Sequence, residues 1–501
     1  MRINQSEQTR DILSITLIIL EALALLIGLY LVVTTVIVSK DSVTFIQYAK
    51  TMEQNFRQTV AGNAQHPGYP FLILSFHKFI EIFGGGSSLY SWIYSAQTVA
   101  FLSFMAALAA LYAVGVILVG KKESFWAVLV LLLLPDVAHI GADALSDWPH
   151  LFFLSWGFLM LLLAVKNEKW QLLGAVGVLT GCSYLVRPEG IQLLIYTTIC
   201  LIGALWLKRN LTAKQIGMMV LILVIVFVAI VLPYIYAKKA VFPKKPLDFV
   251  LPSLAADNTD TGRDYFHSTF SILEGVFNAI AELFKRSSEI LMYFFFPFWV
   301  TGLCYRFYKR HTNYLEKIFV SSVIILNIAV LVWLHIRYGY ISRRHTLPLV
   351  CFTVFYVPVG IDVVAGWIAQ RFHNKESEQR PVATVSRTWF FVILSIGIIS
   401  CIPKLCRPVG SDKKAYLEAA KWLNTNTDVN AVISVPDVRI AFYAQRAGFD
   451  KPGSTTADYI VKVLSKKEID KVVSPVQSGE VVYKYIDKRN KQVNVEIYRK
   501  L

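Results

Sequence analysis

Cysteine, charge and repetition are all scarce in this chain, and each scarcity removes a class of function. The six cysteines, Cys182, Cys200, Cys304, Cys351, Cys401 and Cys406, form no CxxC pair and fall mostly inside apolar runs. That pattern argues against a zinc site or a disulfide framework and leaves them as small packing residues. Charged residues make up only 17% of the sequence, and the basic ones are scattered among short loops. Without a soluble basic domain, nucleic acid is the poorer reading of the positive balance. There is no internal repeat with a period of roughly 20 to 50 residues and no low-complexity tract, which argues against a solenoid or an array.

What fills the chain is hydrocarbon. Over 501 residues the hydrophobic share is 55%, and the mean hydropathy is +0.51. Several apolar runs approach the roughly 20 residues that cross a bilayer, so the class is a polytopic membrane protein. An aromatic share of 13%, with 11 Trp and 24 Tyr, suits rings at both interfaces. The net charge of +16, from 50 Lys and Arg against 34 Asp and Glu, fits contact with anionic membrane lipids and basic cytoplasmic loops.

Eleven spans are expected: 12–38, 90–119, 125–140, 148–165, 170–186, 191–207, 216–236, 290–305, 318–335, 347–369 and 389–402. The first is too long for a signal-peptide core and reads as a retained helix. An odd count puts the termini on opposite sides. A cytoplasmic amino terminus places KK at Lys121, KNEK, KRNLTAK and RFYKRH inside, and GADALSD, which has no Lys or Arg, outside. The basic residues at Lys238 and Arg343 then lie on the outer face and need a reason to be there. Two outer loops are large: residues 39–89 after the first span, and residues 238–286, which read as a partly mobile cover. Residues 1–402 form the membrane domain. From residue 403 a small extracytoplasmic α/β domain follows, with a helix at KKAYLEAAKWL, a strand at NAVISV, a helix at ADYIVKVLSKKEIDKVV and two strands in VVYKYIDKRNKQVNVEIY.

Four short segments carry the polar residues of interest, and this topology puts all four outside. In the first, Asp41 follows the first span and heads an amphipathic stretch, with Phe45, Ile46, Ala49, Met52 and Phe56 at helical spacing, that ends in His66-Pro67-Gly68-Tyr69-Pro70. In GADALSDW, Asp143 and Asp147 are four apart and share one face if the segment is helical. YLVRPEG supplies Arg187 and Glu189, and RYGYISRRHTLP supplies Arg343 and Arg344. Each also has a plainer reading. Asp41 and Asp147 suit helix caps. Arg187 with Glu189 suits a surface ion pair, the paired arginines suit head groups, and His66 suits a turn. Asp136 and His139 read as a helix end without function. Together, acids and arginines gathered in one layer of a membrane protein line a polar cavity. A carboxylate there can take the proton of an acceptor hydroxyl while arginines offset charge on a departing phosphate.

These segments, in this order, resemble the GT-C superfamily of membrane glycosyltransferases. The nearest branch is that of the protein O-mannosyltransferases and aminoarabinose transferases, particularly bacterial members that glycosylate lipopolysaccharide core. The resemblance covers about the first 400 residues. It implies inverting transfer from a polyprenyl-phosphate sugar to a glycan, lipid or protein hydroxyl, with no cofactor, no nucleotide donor and usually no required metal, in a bacterial plasma membrane. Asp41 then corresponds to the first-loop general base, Asp147 in ALSD to the second-loop acid, and Arg343 or Arg344 to the donor phosphate contact. Weaker substrate-binding candidates are His66, Asp143, Arg187, Glu189, Lys244 and Lys245. The mannosyltransferases carry adjacent Asp and Glu in the first loop, whereas Asp41 precedes Ser42, which disfavours protein mannosylation. A transporter or flippase for lipid-linked saccharides is the alternative; against it, the acids cluster at span ends and no repeat is present.

Overall fold

The computed structural model describes residues 15–208, 212–239, 269–308, 313–372, 382–449, 457–465, 479–486 and 493–500. The chain opens with the apolar helix α1, Ile15–Thr34, followed by three helices of the first loop: α2 Lys40–Gln54, α3 Phe56–Gly62 and α4 Gly68–Ile82. Then come α5 Leu89–Leu118, α6 Lys121–Leu133, α7 Pro135–Ala142, α8 Asp147–Asn167, α9 Leu172–Val186, a 3-10 turn at Pro188–Ile191, α10 Gln192–Lys208 and α11 Ala213–Lys238. The later membrane region holds α12 Thr269–Ile290, α13 Phe296–Tyr308, α14 Tyr314–Tyr338, α15 Arg343–Thr353, α16 Tyr356–Phe372 and α17 Val382–Leu405.

Six helices among the described residues are long and apolar enough to cross a bilayer, and two bent pairs raise that to eight. The chain is an integral, multi-pass membrane protein. Of the eleven expected spans, those at 170–186 and 191–207 form shorter apolar helices, and that at 290–305 is interrupted. Between α12 and α13 the backbone turns through Met292 and Tyr293, both with left-handed φ. The bend of 67° between α6 and α7 has a covalent cause. Pro135 lacks an N–H, and the residue before it, Leu134, is forced to extended backbone with ψ 120°. Elsewhere small residues set the spacing. A Cβ on Gly302 would lie 1.9 Å from Tyr356 O, and one on Gly360 1.8 Å from Phe298 O, so α13 and α16 touch backbone to backbone.

Two expectations need correction. The outer loop 238–286 is helical from Thr269, because Val276, Phe277, Ile280, Leu283 and Phe284 recur at helical spacing and give α12 one strongly apolar side. Residues 240–268 lie outside the described residues. The segment ADYIVKVLS is a strand rather than a helix, for its β-branched alternation pairs with a distant partner.

That partner belongs to the carboxy-terminal unit, built from α18 Lys414–Asn426, β1 Val432–Ser434, α19 Val438–Ala444, β2 Ala447–Phe449, β3 Tyr459–Ser465, β4 Gly479–Ile486 and β5 Val493–Lys500. Strand order is β2-β1-β3-β5-β4. β1 runs parallel to β2 and β3, whereas β5 is antiparallel to β3 and β4. Helix α18 buries Ala415, Ala419, Ala420 and Leu423 toward the sheet. The unit shares one apolar core with the first loop, in which Ile37, Val38, Phe45 and Ile46 pack with Ile440, Phe442 and Tyr443.

Candidate active site

The start of α2 is fixed before any functional group is placed on it. Ser39 caps the helix, its Oγ accepting from Ser42 N at 3.3 Å. Asp143, buried between α7 and α8, accepts from Ser39 N (3.2 Å), Ser42 Oγ (3.0 Å) and Ala144 N (2.9 Å). Burial pushes the Asp143 carboxyl above the usual carboxylate range, against the pull of those donors. Asp143 thus pins the chain at Ser39 and Ser42. With Ser39 as the cap, Asp41 is left free of that duty, and its side chain is 54% exposed.

Asp147 is the opposite case. It opens α8, its side chain is 3% exposed, and two guanidinium groups hold it. Arg187 Nη1 donates to Asp147 Oδ1 at 2.5 Å. Arg344 donates to Asp147 Oδ2 from Nε at 3.0 Å and from Nη2 at 2.7 Å. The third nitrogen of Arg344, Nη1, donates to Asp41 Oδ2 at 2.5 Å. Arg187 Nη2 meets Glu189 Oε1 at 3.4 Å. A continuous chain therefore runs Asp41, Arg344, Asp147, Arg187, Glu189, gathering four segments that are distant in sequence. Buried charge persists only when paired in this way.

The remaining candidates separate from that chain. Arg343, one position from Arg344 and therefore turned about 100° around α15, pairs with Asp136 Oδ2 at 2.8 Å, and Lys404 takes Asp136 Oδ1 at 2.9 Å. Of the two arginines, Arg344 is the one that meets Asp41 and Asp147. Asp136 is engaged between two cations and is not an idle helix end. His66 is 6% exposed, its ring centroid 5.0 Å from that of Tyr184 and 5.2 Å from that of Tyr234. Burial lowers its pKa to about 4, so the imidazole is neutral at neutral pH. Gly68 of the same HPGYP turn rests on the end of α9, where a Cβ would meet Leu185 O at 2.6 Å and Val186 N at 2.7 Å. Lys244 and Lys245 lie outside the described residues. Sequence reasoning passed over His150, whose Nδ1 is 2.9 Å from Ser183 Oγ. Its spacing of three from Asp147 on one helix was the available signal.

Residues 65–235 match the family model described as dolichyl-phosphate-mannose-protein mannosyltransferase. The apo oligosaccharyltransferase of Archaeoglobus fulgidus superposes with a TM-score of 0.58 at 12% identity, covering 90% of this chain and 70% of that one. ArnT from Cupriavidus metallidurans bound to undecaprenyl phosphate gives 0.54 at 14% identity, covering 96% of this chain and 97% of that one. The chain has the GT-C glycosyltransferase fold. AglB from Archaeoglobus fulgidus, in complex with an inhibitory peptide and a dolichol-phosphate, adds 0.57 at 11% identity over 88% of this GT-C chain and 69% of its own. No curated protein matches by sequence. The matched family and these neighbours are glycosyltransferases. The family match on the GT-C chain takes in His66, Asp143, Asp147, Arg187 and Glu189; Asp41 and Arg344 fall on either side of it.

Proposed function

We propose that this GT-C protein transfers a sugar from a polyprenyl-phosphate donor to an acceptor hydroxyl on the outer face of the membrane, with inversion at the sugar carbon. The observation that carries the reading is Arg344 held between an exposed carboxylate and a buried one. Asp41 keeps Oδ1 outside the Arg344 contact, which suits a base taking the acceptor's hydroxyl proton. The acceptor oxygen bonds to the anomeric carbon, the bond from that carbon to phosphate oxygen breaks, and the phosphate leaves with the electron pair. A guanidinium has five N–H donors. Three of those on Arg344 reach Asp41 and Asp147, leaving two for phosphate oxygen as its charge grows. Asp147 and Arg187 hold that guanidinium in place from the buried side. The lipid carriers in the ArnT and AglB complexes support a lipid-phosphate donor here. A glycan, lipid or protein accepts the sugar, and the amino terminus is cytoplasmic with the α/β unit outside, in a bacterial plasma membrane.

The test is reconstitution in proteoliposomes with an undecaprenyl-phosphate hexose and a lipopolysaccharide core oligosaccharide. Asp41→Asn is expected to reach the membrane and lose transfer, while the wild-type product carries the inverted anomer. Normal turnover by Asp41→Asn removes the base from the scheme.

A further inference from the structure

Beside Arg187 lies a second polar group that the transfer chemistry does not use. Tyr48 of α2 and Tyr234 near the end of α11 are 2% and 4% exposed, yet neither phenol oxygen has a hydrogen-bond partner among the described residues. Glu189 Oε2 is buried and equally without one, although Oε1 of the same carboxylate meets Arg187. The ring of His66 packs against Tyr184 and Tyr234. Lys238 donates to Ala61 O and Asn63 O and so ties the turn before His66 to the end of α11.

Buried hydroxyls normally find partners, because leaving one unpaired forfeits its hydration. Phenylalanine would fill the same space at positions 48 and 234 without that cost. Three such oxygens, drawn from α2, the turn after α9 and α11, therefore mark a place built for hydrogen-bonding groups from outside the chain. Its position relative to the proposed base is informative. Tyr48 is seven residues from Asp41, two turns along the same side of α2 and about 10 Å along its axis. Glu189 is bonded to the arginine that holds Asp147. The group thus flanks the proposed base along α2, about two sugar rings away.

We infer that Tyr48, His66, Glu189 and Tyr234 form a recognition wall for the hydroxyls of a saccharide, an assignment that rests on the proposed function. Phenols donate or accept, a carboxylate accepts, and a neutral imidazole does both. Anionic phosphate fits poorly, since Glu189 would repel it and Lys238 is already occupied by two carbonyls. The saccharide is either the hexose of the donor or a ring of the acceptor, and the experiment distinguishes them.

The variants are Tyr48→Phe, Tyr234→Phe and their combination, which keep the rings and remove the hydroxyls, with Glu189→Gln beside them. In proteoliposomes, KM is measured for undecaprenyl-phosphate glucose at saturating core oligosaccharide, and for the oligosaccharide at saturating donor. Losing one neutral hydrogen bond is expected to raise KM by about threefold to tenfold, and the pair by more. The arm that responds names the source. The wild-type preference among undecaprenyl-phosphate glucose, galactose and N-acetylglucosamine narrows if that arm is the donor. Unchanged KM in both arms, or a fall in kcat alone with the fold intact by size exclusion and thermal unfolding, overturns the assignment. If the double variant does not fold, the single variants decide. If the wild type shows no transfer at all, the proposed function fails separately. Binding then decides: tighter capture of undecaprenyl-phosphate glucose than of undecaprenyl phosphate, or capture of the oligosaccharide, abolished in Tyr234→Phe, supports the wall, and no saccharide dependence sinks it.

Discussion

Arg344 and Asp147 are joined by two N–H donors, Nε and Nη2, converging on one carboxylate oxygen at 3.0 and 2.7 Å. The shape of the guanidinium, and not its charge alone, makes that possible while Nη1 reaches Asp41. Lysine is a compact point charge and cannot span both carboxylates. Arg344→Lys is expected to reduce kcat/KM by at least about 100-fold, or roughly 3 kcal/mol of transition-state stabilisation. Steady-state kinetics in proteoliposomes checks this, and near-normal turnover would show that charge suffices.

Arg343 provides the matched control. It pairs with Asp136, which Lys404 also holds, rather than with Asp41, and its side chain is half exposed. Arg343→Gln is expected to leave kcat/KM within about tenfold of wild type, since an exposed ion pair contributes roughly 0–1 kcal/mol. A loss equal to that of Arg344→Lys would mean that both arginines serve the donor.

Asp147 is buried between Arg187 and Arg344. Removing it in Asp147→Ala takes away the buried anion between two guanidinium groups, a change that costs about 3–5 kcal/mol when a buried pair is broken. Thermal unfolding in detergent should show a large fall in midpoint, smaller in Asp147→Asn, which keeps the oxygen acceptor. A midpoint unchanged in both would show that solvent reaches the pair.

Much of this architecture was legible before the structure, and the failures share a cause. Asp41, Asp147, Arg187 and Arg344 stood out because charge beside hydrocarbon is expensive wherever it occurs. Choosing between Arg343 and Arg344 required the rotation of α15 about its own axis, which neighbouring helices set and local spacing does not. Tyr459–Ser465 was misread for a related reason. Ile460, Val461 and Leu464 fit a helical stripe, and the seven-residue pairing with Val493–Arg499 that overrides it is non-local. The period of helix α12, in Phe277, Ile280 and Phe284, is local, and reading residues 238–286 as one long loop diluted it. Tyr48 and Tyr234 gave no sequence signal, for a tyrosine on an apolar face looks the same whether or not its hydroxyl finds a partner.

His66 supplies a pH dependence. Its folded pKa of about 4 lies below the ordinary value near 6.5, so the unfolded chain binds the proton more readily than the folded one. The neutral ring's contribution to stability is complete above pH 6.5 and is lost as the pH falls toward 4. Tyr184, Glu189, Arg187 and Lys238 surround it, with Glu189 opposing the shift and the two cations adding to burial. His66→Gln should flatten the decline of the unfolding midpoint across that window. An identical decline in the variant would assign it to another group.

The carboxy-terminal unit bears on Asp41 through two backbone contacts just upstream of it. Val36 N donates to Val409 O at 2.9 Å, and the buried Val38 N donates to Tyr443 Oη at 3.1 Å. Gly410 sits so close to Ile37 that a Cβ would be 2.1 Å from its carbonyl oxygen. The segment leading into α2 is therefore held from the α/β side as firmly as Asp143 holds it from the membrane side. Tyr443→Phe strands a buried N–H, which costs about 1–3 kcal/mol, and loosens the chain three residues before the proposed base. The expected outcome is a kcat about tenfold lower, following the near-ångström sensitivity of positioned groups, with KM for donor little changed. A variant equally stable and equally active would show that the unit rests on the first loop without setting its geometry.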